Sequence, residues 1–136
     1  MINPHGADEL KPLYVEDDSA RAQLQEDAGS LPAIVVSSAA AASAVMLGSG
    51  YFTPLDGFMD LADARSVASD MKTGTDLLWP TPVVNVAPVD QVPAGVAAGS
   101  RIALRDPNVD GSPVIAVQEV TSVEALSDAD RDQIIA

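Results

Sequence analysis

The sequence predicts an α+β fold, with helices mainly in the amino-terminal half and short strands in the carboxyl half. Three observations carry that reading. As far as Gly74, apolar residues recur at helical spacing behind residues that can cap a helix. Beyond Gly74 the period changes, and apolar runs rich in Val and Ile are cut by turns of Pro, Gly, Asn and Asp. The chain has 136 residues, 47% of them hydrophobic. That is enough to bury about two thirds of the unfolded surface around one core, so residues 1–136 are read as a single domain.

The elements follow in order. Residues 1–30 are polar and turn-rich, with Pro4, Gly6 and Pro12 ahead of the acidic pair Asp17-Asp18. Ser19 is placed to cap a short helix that carries Ala20, Leu24 and Ala28 along one face before Gly29 stops it. Leu31 to Val36 is an apolar, β-branched run bounded by Pro and Ser, which predicts a buried strand. From Ser38 alanine dominates; Ala42, Val45 and Met46 fall on one helical face, and Gly48 ends that helix. Asp60 is a good N-cap for the next helix, with Leu61, Ala64, Val67, Ala68 and Met71 as its apolar stripe and Lys72 in its last turn. Pro82 to Ala87, Arg101 to Leu104 and Pro113 to Thr121 read as strands, with Asp110-Gly111 at the tip of a hairpin between the last two. Ser127 looks like the N-cap of a final helix, with Asp128 and Asp130 in its first turn and Ile134 and Ile135 beginning an apolar face.

Between the second and third helices lies the most distinctive segment, Gly50 to Met59. It holds both Phe, one of the two Tyr, two Gly and a Pro in a chain that is only 4% aromatic. Gly50 and Gly57 can adopt backbone angles closed to other residues, while Pro54 fixes its own φ and pushes Thr53 toward extended geometry. The segment therefore reads as a defined turning loop anchored by Phe52, Leu55, Phe58 and Met59. Whether it plugs the core or forms a site, the residues alone leave open. Trp79, just before Pro80, reads as a core or domain-contact aromatic rather than a ligand platform.

Composition excludes several function classes. Twenty acidic against seven basic residues give a net charge of −13, which argues against a nucleic-acid partner, because phosphate backbones need Lys and Arg to replace released counterions. The longest apolar stretch, Ala39 to Leu47, is interrupted by Ser43 and too short to span a bilayer, and Met1 to His5 lacks the basic start of a secretory signal. A membrane protein is not expected. Zero cysteines rule out disulfides and thiolate metal sites, and suit a cytoplasmic setting. The acidic pairs Asp8-Glu9 and Asp17-Asp18 lack calcium-loop spacing, and the loop from Asp106 has Val117 where such a loop needs Glu. His5 has no neighbouring Ser or Cys to activate and reads as a mobile terminal residue. Gly48-Ser49-Gly50 has no following Lys and reads as a helix stop rather than a phosphate loop.

The order Leu31-Pro32, Gly50, Thr53-Pro54-Leu55, Gly57-Phe58-Met59, Trp79-Pro80-Thr81-Pro82-Val83, Gly99, Arg101 to Pro107 and Pro113 to Val117 resembles the amino-terminal region of ATP sulfurylase (sulfate adenylyltransferase). The opening Pro4-His5-Gly6 to Leu10 looks like that family's start, so the resemblance covers nearly the whole chain. Many members carry acidic residues in the helix at 39–47, and many have Ser where Thr53 stands. Those departures suggest a subgroup similar to the enzymes of sulfur-oxidising bacteria.

The resemblance implies a PUA-like domain, its strands closed into a small β-barrel, that packs against the catalytic domain of the same enzyme. On this reading the loop residues and Trp79 form core or domain interface. In the family, ATP and sulfate are interconverted with adenylyl sulfate and pyrophosphate by Gln-x-Arg-Asn and His-x-x-His motifs beyond the matched region. Neither motif occurs here, and with His5 as the one histidine no histidine pair exists. Attack on the α-phosphate concentrates negative charge that needs cations placed around it, and seven Lys and Arg spread along the chain supply no such cluster. The chain is therefore expected to be a fragment ending at a domain boundary, with no catalytic, cofactor-binding or metal residues of its own; ATP is a substrate of the full enzyme. A homo-oligomer is compatible with this. Two other readings are a free-standing PUA-like binding module for a small molecule or protein, and an RNA binder, against which the charge speaks.

Overall fold

A computed structural model describes residues 2–135. Four helices and three strands are built in it around a mixed sheet. The first helix, α1 (Asp18–Ala28), is capped by Asp17, whose carboxylate accepts from Ala20 N–H at 2.7 Å, and not by Ser19. Asp17 sits in extended geometry one residue before the helix, where its side chain reaches the orphan N–H groups; Ser19 lies already inside the first turn. Only Ala28 of α1 is buried, so the helix rides on the surface.

Strand β1 (Ala33–Val35) leads to α2 (Ser38–Gly48), capped by Ser37 through Ala40 N–H. The face that α2 buries is Ala40, Ala41 and Leu47, while Val45 is exposed. This differs from the expected Ala42, Val45, Met46 face because an alanine-rich helix is apolar all round. Its orientation is then set by close approach to the sheet rather than by its own pattern. The helix ends in a Schellman turn: Tyr51 N–H donates to Met46 O at 3.0 Å, Gly50 N–H to Leu47 O at 3.1 Å, and Gly50 takes φ +80°.

Helix α3 (Leu61–Asp70) is capped by Asp60, which accepts from Asp63 N–H at 2.8 Å, and drives Ala64 and Val67 into the core. It stops at Asp70, short of the expected last turn with Lys72. Met71 is the left-handed cap at φ 53°, half-exposed rather than part of the apolar stripe, and Lys72 lies beyond the helix. A tight excursion follows, closed by Thr73 N–H on Leu77 O and Trp79 N–H on Met71 O.

The sheet has the order β1-β2-β3, with β2 (Arg101–Arg105) parallel to β1 and antiparallel to β3 (Val114–Glu119). Ala33 pairs with Ala103 and Ile34 with Leu104; Ile102 faces Gln118, and a bulge follows Leu104. The β2–β3 turn carries Asp110-Gly111 between Val109 O and Ser112 N–H, 2.9 Å apart. The α+β class therefore holds, but among the described residues the sheet is an open three-stranded one and no closed barrel is formed. The reason is local. Residues 82–88 form no regular element and join no ladder, so the strand expected there never closes the sheet.

The last helix, α4 (Asp128–Ile134), begins with a capping box between Ser127 and Asp130 and buries Ile134 beside α3. Two apolar clusters make the core. Ile34, Val36, Ala40, Ala41, Ile102, Leu104 and Val120 lie between sheet and α2; Leu47, Val67, Trp79 and Val83 lie below α3. Phe58 packs against both and joins them.

Candidate functional site

The Gly50–Met59 loop enters the second cluster. Gly50, Thr53 and Trp79 are buried, while Phe52, Pro54, Leu55, Gly57, Phe58 and Met59 are half-buried. Phe52 meets Trp79 edge-on, with ring centroids 5.7 Å apart at 84°, a favoured aromatic geometry. Leu55, Phe58 and Met59 pack on the same cluster. Met59 N–H donates to Val83 O at 2.7 Å, fixing the loop's exit against the segment that follows Trp79. The Thr53–Pro54 peptide is cis.

A strap from the amino terminus closes over the loop. Leu13 and Tyr14 N–H both donate to Gly48 O, at 3.0 and 3.1 Å. Lys11 N–H donates to Thr53 Oγ1 at 2.9 Å, and that hydroxyl donates on to Gly50 O at 2.7 Å. The Lys11 ammonium pairs with Asp56. His5, expected to be a mobile terminal residue, is tied down: its Nε2 lies 2.7 Å from Leu78 O and its ring stands 6.4 Å from Trp79. Gly50 is needed twice, once for its positive φ and once because a Cβ there would lie 3.1 Å from Pro12 N.

Chemically the loop is saturated. Its apolar groups point inward and its one buried hydroxyl, Thr53 at 5% exposure, has both a donor and an acceptor. What it presents outward is Tyr51, 76% exposed, with Val45 and Tyr14 exposed on the helix and strap it touches. Charge is equally spoken for: five of the seven cations, Lys11, Arg21, Arg65, Lys72 and Arg131, each pair with a carboxylate. Among the described residues no three His, Asp or Glu gather as a metal site, and no helix is long and apolar enough to cross a membrane.

Two features had no signal in the sequence. One is the clamp between α3 and α4. Arg65 Nε and Nη2 donate to the two Asp130 oxygens at 2.6 and 2.9 Å, and Ser127 N–H and O–H donate to the same carboxylate at 3.1 and 2.7 Å. The Arg65 guanidinium, then Ser127, hold the Asp130 carboxyl well below the usual carboxylate range. The other is a groove of about 930 Å³ between residues 84–96, the sheet and the approach to α4, lined mainly by Val, Ile, Ala and Pro. Inside it Asn85 Nδ2 donates to Gln118 Oε1 at 3.0 Å, while Asn85 Oδ1 is buried without a donor among the described residues. Partners 65 and 33 residues apart leave no local trace.

Comparison with known proteins agrees with this geometry. The family model described as PUA-like domain matches residues 2–133. The sulfate adenylyltransferase of Alcanivorax borkumensis is 52% identical over 98% of this chain, and that of Allochromatium vinosum 50% identical over 95%. The one from the Riftia pachyptila sulfur-oxidizing endosymbiont is 41% identical over 94%. This chain spans about a third of the length of these relatives, 33%, 32% and 28% respectively. Among solved structures, the hexameric APS kinase from Thiobacillus denitrificans superposes with a TM-score of 0.73 at 27% identity, over 94% of this chain and 24% of that one.

Proposed function

We propose that this chain, which belongs to the PUA-like domain family, acts as the amino-terminal, non-catalytic domain of a sulfate adenylyltransferase. The observation that carries the reading is the unequal coverage: the match takes in 98% of this chain and 33% of a relative 52% identical to it. In the whole enzyme a sulfate oxygen attacks the α-phosphorus of ATP, the bond to the β-phosphate oxygen breaks, and pyrophosphate leaves. Such a centre is built from cations held in place before charge develops. Here five cations are committed to nearby carboxylates, which supports a role in assembly rather than chemistry.

Gly50, Phe52, Thr53, Pro54, Leu55, Gly57, Phe58, Met59 and Trp79 serve as the packed support of a docking face. Tyr51, Val45 and Tyr14 are its outer surface, and the catalytic domain of the same enzyme covers it. The enzyme is a cytoplasmic homo-oligomer; the hexameric state of the solved APS kinase is what supports the oligomer. The domain binds neither cofactor nor nucleic acid. Calorimetric titration of the chain with ATP, adenylyl sulfate and an RNA oligomer is expected to give no heat of binding, and ATP with sulfate no released pyrophosphate. Pyrophosphate release by these 136 residues, or RNA affinity at moderate salt, defeats the proposal.

A second reading, a PUA-like binding module in its own right, is favoured by one observation. The groove beside Asn85 lies within the size range of ligand sites.

A further inference from the structure

Residues 82–87 have a strand's composition, yet they join no ladder among the described residues. Val83 O accepts from Met59 N–H, but among the described residues no hydrogen bond reaches the backbone of Val84, Asn85, Val86 or Ala87. All four are half-buried, and a backbone N–H or C=O withdrawn from water is almost always paired. Across from them stands the free edge of β1. Pro32 O and Val36 N–H bond to Ala103 and Arg105 on β2, and the alternation of a parallel ladder turns Ala33 and Val35 the other way, again without partners.

A cleft of about 600 Å³ separates the two edges, with Ala33, Val35 and Val36 on one wall and Val86, Ala87 and Pro88 on the other. It runs into the larger groove through the shared residues Ile34, Val86, Ala87 and Pro88. There the unpaired Asn85 oxygen calls for a donor. The groove's charged residues are Asp60, Glu124 and Asp128 against Arg131 alone, and Arg131 is already engaged by Asp128 and Asp132. An occupant therefore has to offer backbone hydrogen bonds on both sides, an N–H or O–H to Asn85, and positive charge at the rim.

We propose that this cleft takes an extended, lysine- or arginine-bearing segment of another polypeptide, which adds as a strand between β1 and Val84–Ala87. The inference goes beyond the sulfate adenylyltransferase reading and does not depend on it. Main-chain ladders supply affinity in such strand addition, and side-chain complementarity supplies selectivity. Four residues of strand cover about 13 Å, so a pentapeptide fills the slot.

The test is residue-resolved amide exchange on the full 136-residue chain with the probe acetyl-Lys-Val-Thr-Val-Lys-amide. Saturation is expected to slow exchange roughly tenfold or more at two of the Val84–Ala87 amides and at Ala33 or Val35, and raising NaCl from about 50 to about 500 mM is expected to weaken binding. A probe N-methylated at alternate residues keeps every side chain but loses its ladder donors, and is expected not to bind. Val86→Pro, with its fold checked by circular dichroism, is expected to abolish binding too. The proposal is overturned if the N-methylated probe binds as well as the parent. Equal binding of the Glu-for-Lys counterpart, or unchanged exchange at those amides, has the same consequence. So does self-association with the same protection, which assigns the slot to a second copy.

Discussion

Gly48 and Gly50 lie two residues apart, and the structure gives alanine opposite effects at them. Gly50 sits at φ +80°, and a Cβ would stand 3.1 Å from Pro12 N and 3.3 Å from its Cα. A left-handed L-residue costs roughly 1–2 kcal/mol. The strap must also shift by a few tenths of an ångström while Lys11 N–H stays on Thr53 Oγ1, so Gly50→Ala should lose about 2–3 kcal/mol in all. Gly48 is the last residue of α2, has no positive φ, and would put a Cβ into open space. There alanine gains helix propensity and restricts the unfolded chain, a stabilisation of up to about 1 kcal/mol. For a domain of this size, intermediate between the two size classes usually compared, each kcal/mol moves Tm by about 4 °C. Thermal unfolding followed by Trp79 fluorescence should therefore show Gly50→Ala down by roughly 8–12 °C and Gly48→Ala unchanged or up by roughly 4 °C. Equal shifts at the two positions would refute the account of the loop's entry.

Phe52→Ala removes the ring that meets Trp79 edge-on; since Phe52 is half-buried, the loss should be about 2 kcal/mol, below the full-burial range, with a red shift of Trp79 emission. An unchanged emission maximum would show that the ring contact is not formed. Asp130→Asn tests the clamp through pH. The folded pKa of Asp130 is lowered, so its stabilisation is present above the unfolded value of about 3.9 and is lost as pH falls from there toward the lower folded value. Urea midpoints of wild type and variant should differ at pH 7 and converge in acid, and a gap that persists at low pH contradicts the assignment. With a net charge of −13, raising NaCl should screen self-repulsion and increase Tm. A fall would mean that the exposed ion pairs outweigh that repulsion.

Much of the fold was legible where cause and effect lie within four residues. Asp60 and Ser127 announce their helices because a short oxygen-bearing side chain reaches an N–H two or three residues ahead. Asp17 and Ser19 both fit that rule, and only the backbone geometry at Asp17 separates them. Three β-rich runs became ladders where a partner edge was present, and Pro82–Ala87 did not because its composition says nothing about what stands beside it. The buried face of α2 was illegible since alanine gives a helix no preferred side. The Gly50–Met59 loop was visible through its concentration of aromatics, whereas the strap over it rests on backbone groups of Lys11, Leu13 and Tyr14, which composition does not mark. Arg65 with Asp130 and Asn85 with Gln118 are products of the fold alone.

The distribution of charge bears on what such a domain can contribute. Lys11 holds Asp56 across the strap, Lys72 holds Asp76 across the turn after α3, and Arg65 joins α3 to α4 through Asp130. Each of these cations closes a local structure, so drawing any of them toward a phosphate would loosen the element it ties. The exposed pairs of Lys11 and Lys72 are individually worth little, but together the ion pairs of the described residues leave Arg101 and Arg105 outside them. Both lie on β2, and Arg105 Nη1 already donates toward Ser112 O. The two stand at opposite ends of a five-residue strand, about 13 Å apart along it. With twenty carboxylates in the chain, five of the seven positive charges are structural fasteners, which favours apolar surface and unpaired backbone as the sources of binding energy. Those are the two resources that the Tyr51 face and the open edge of β1 present.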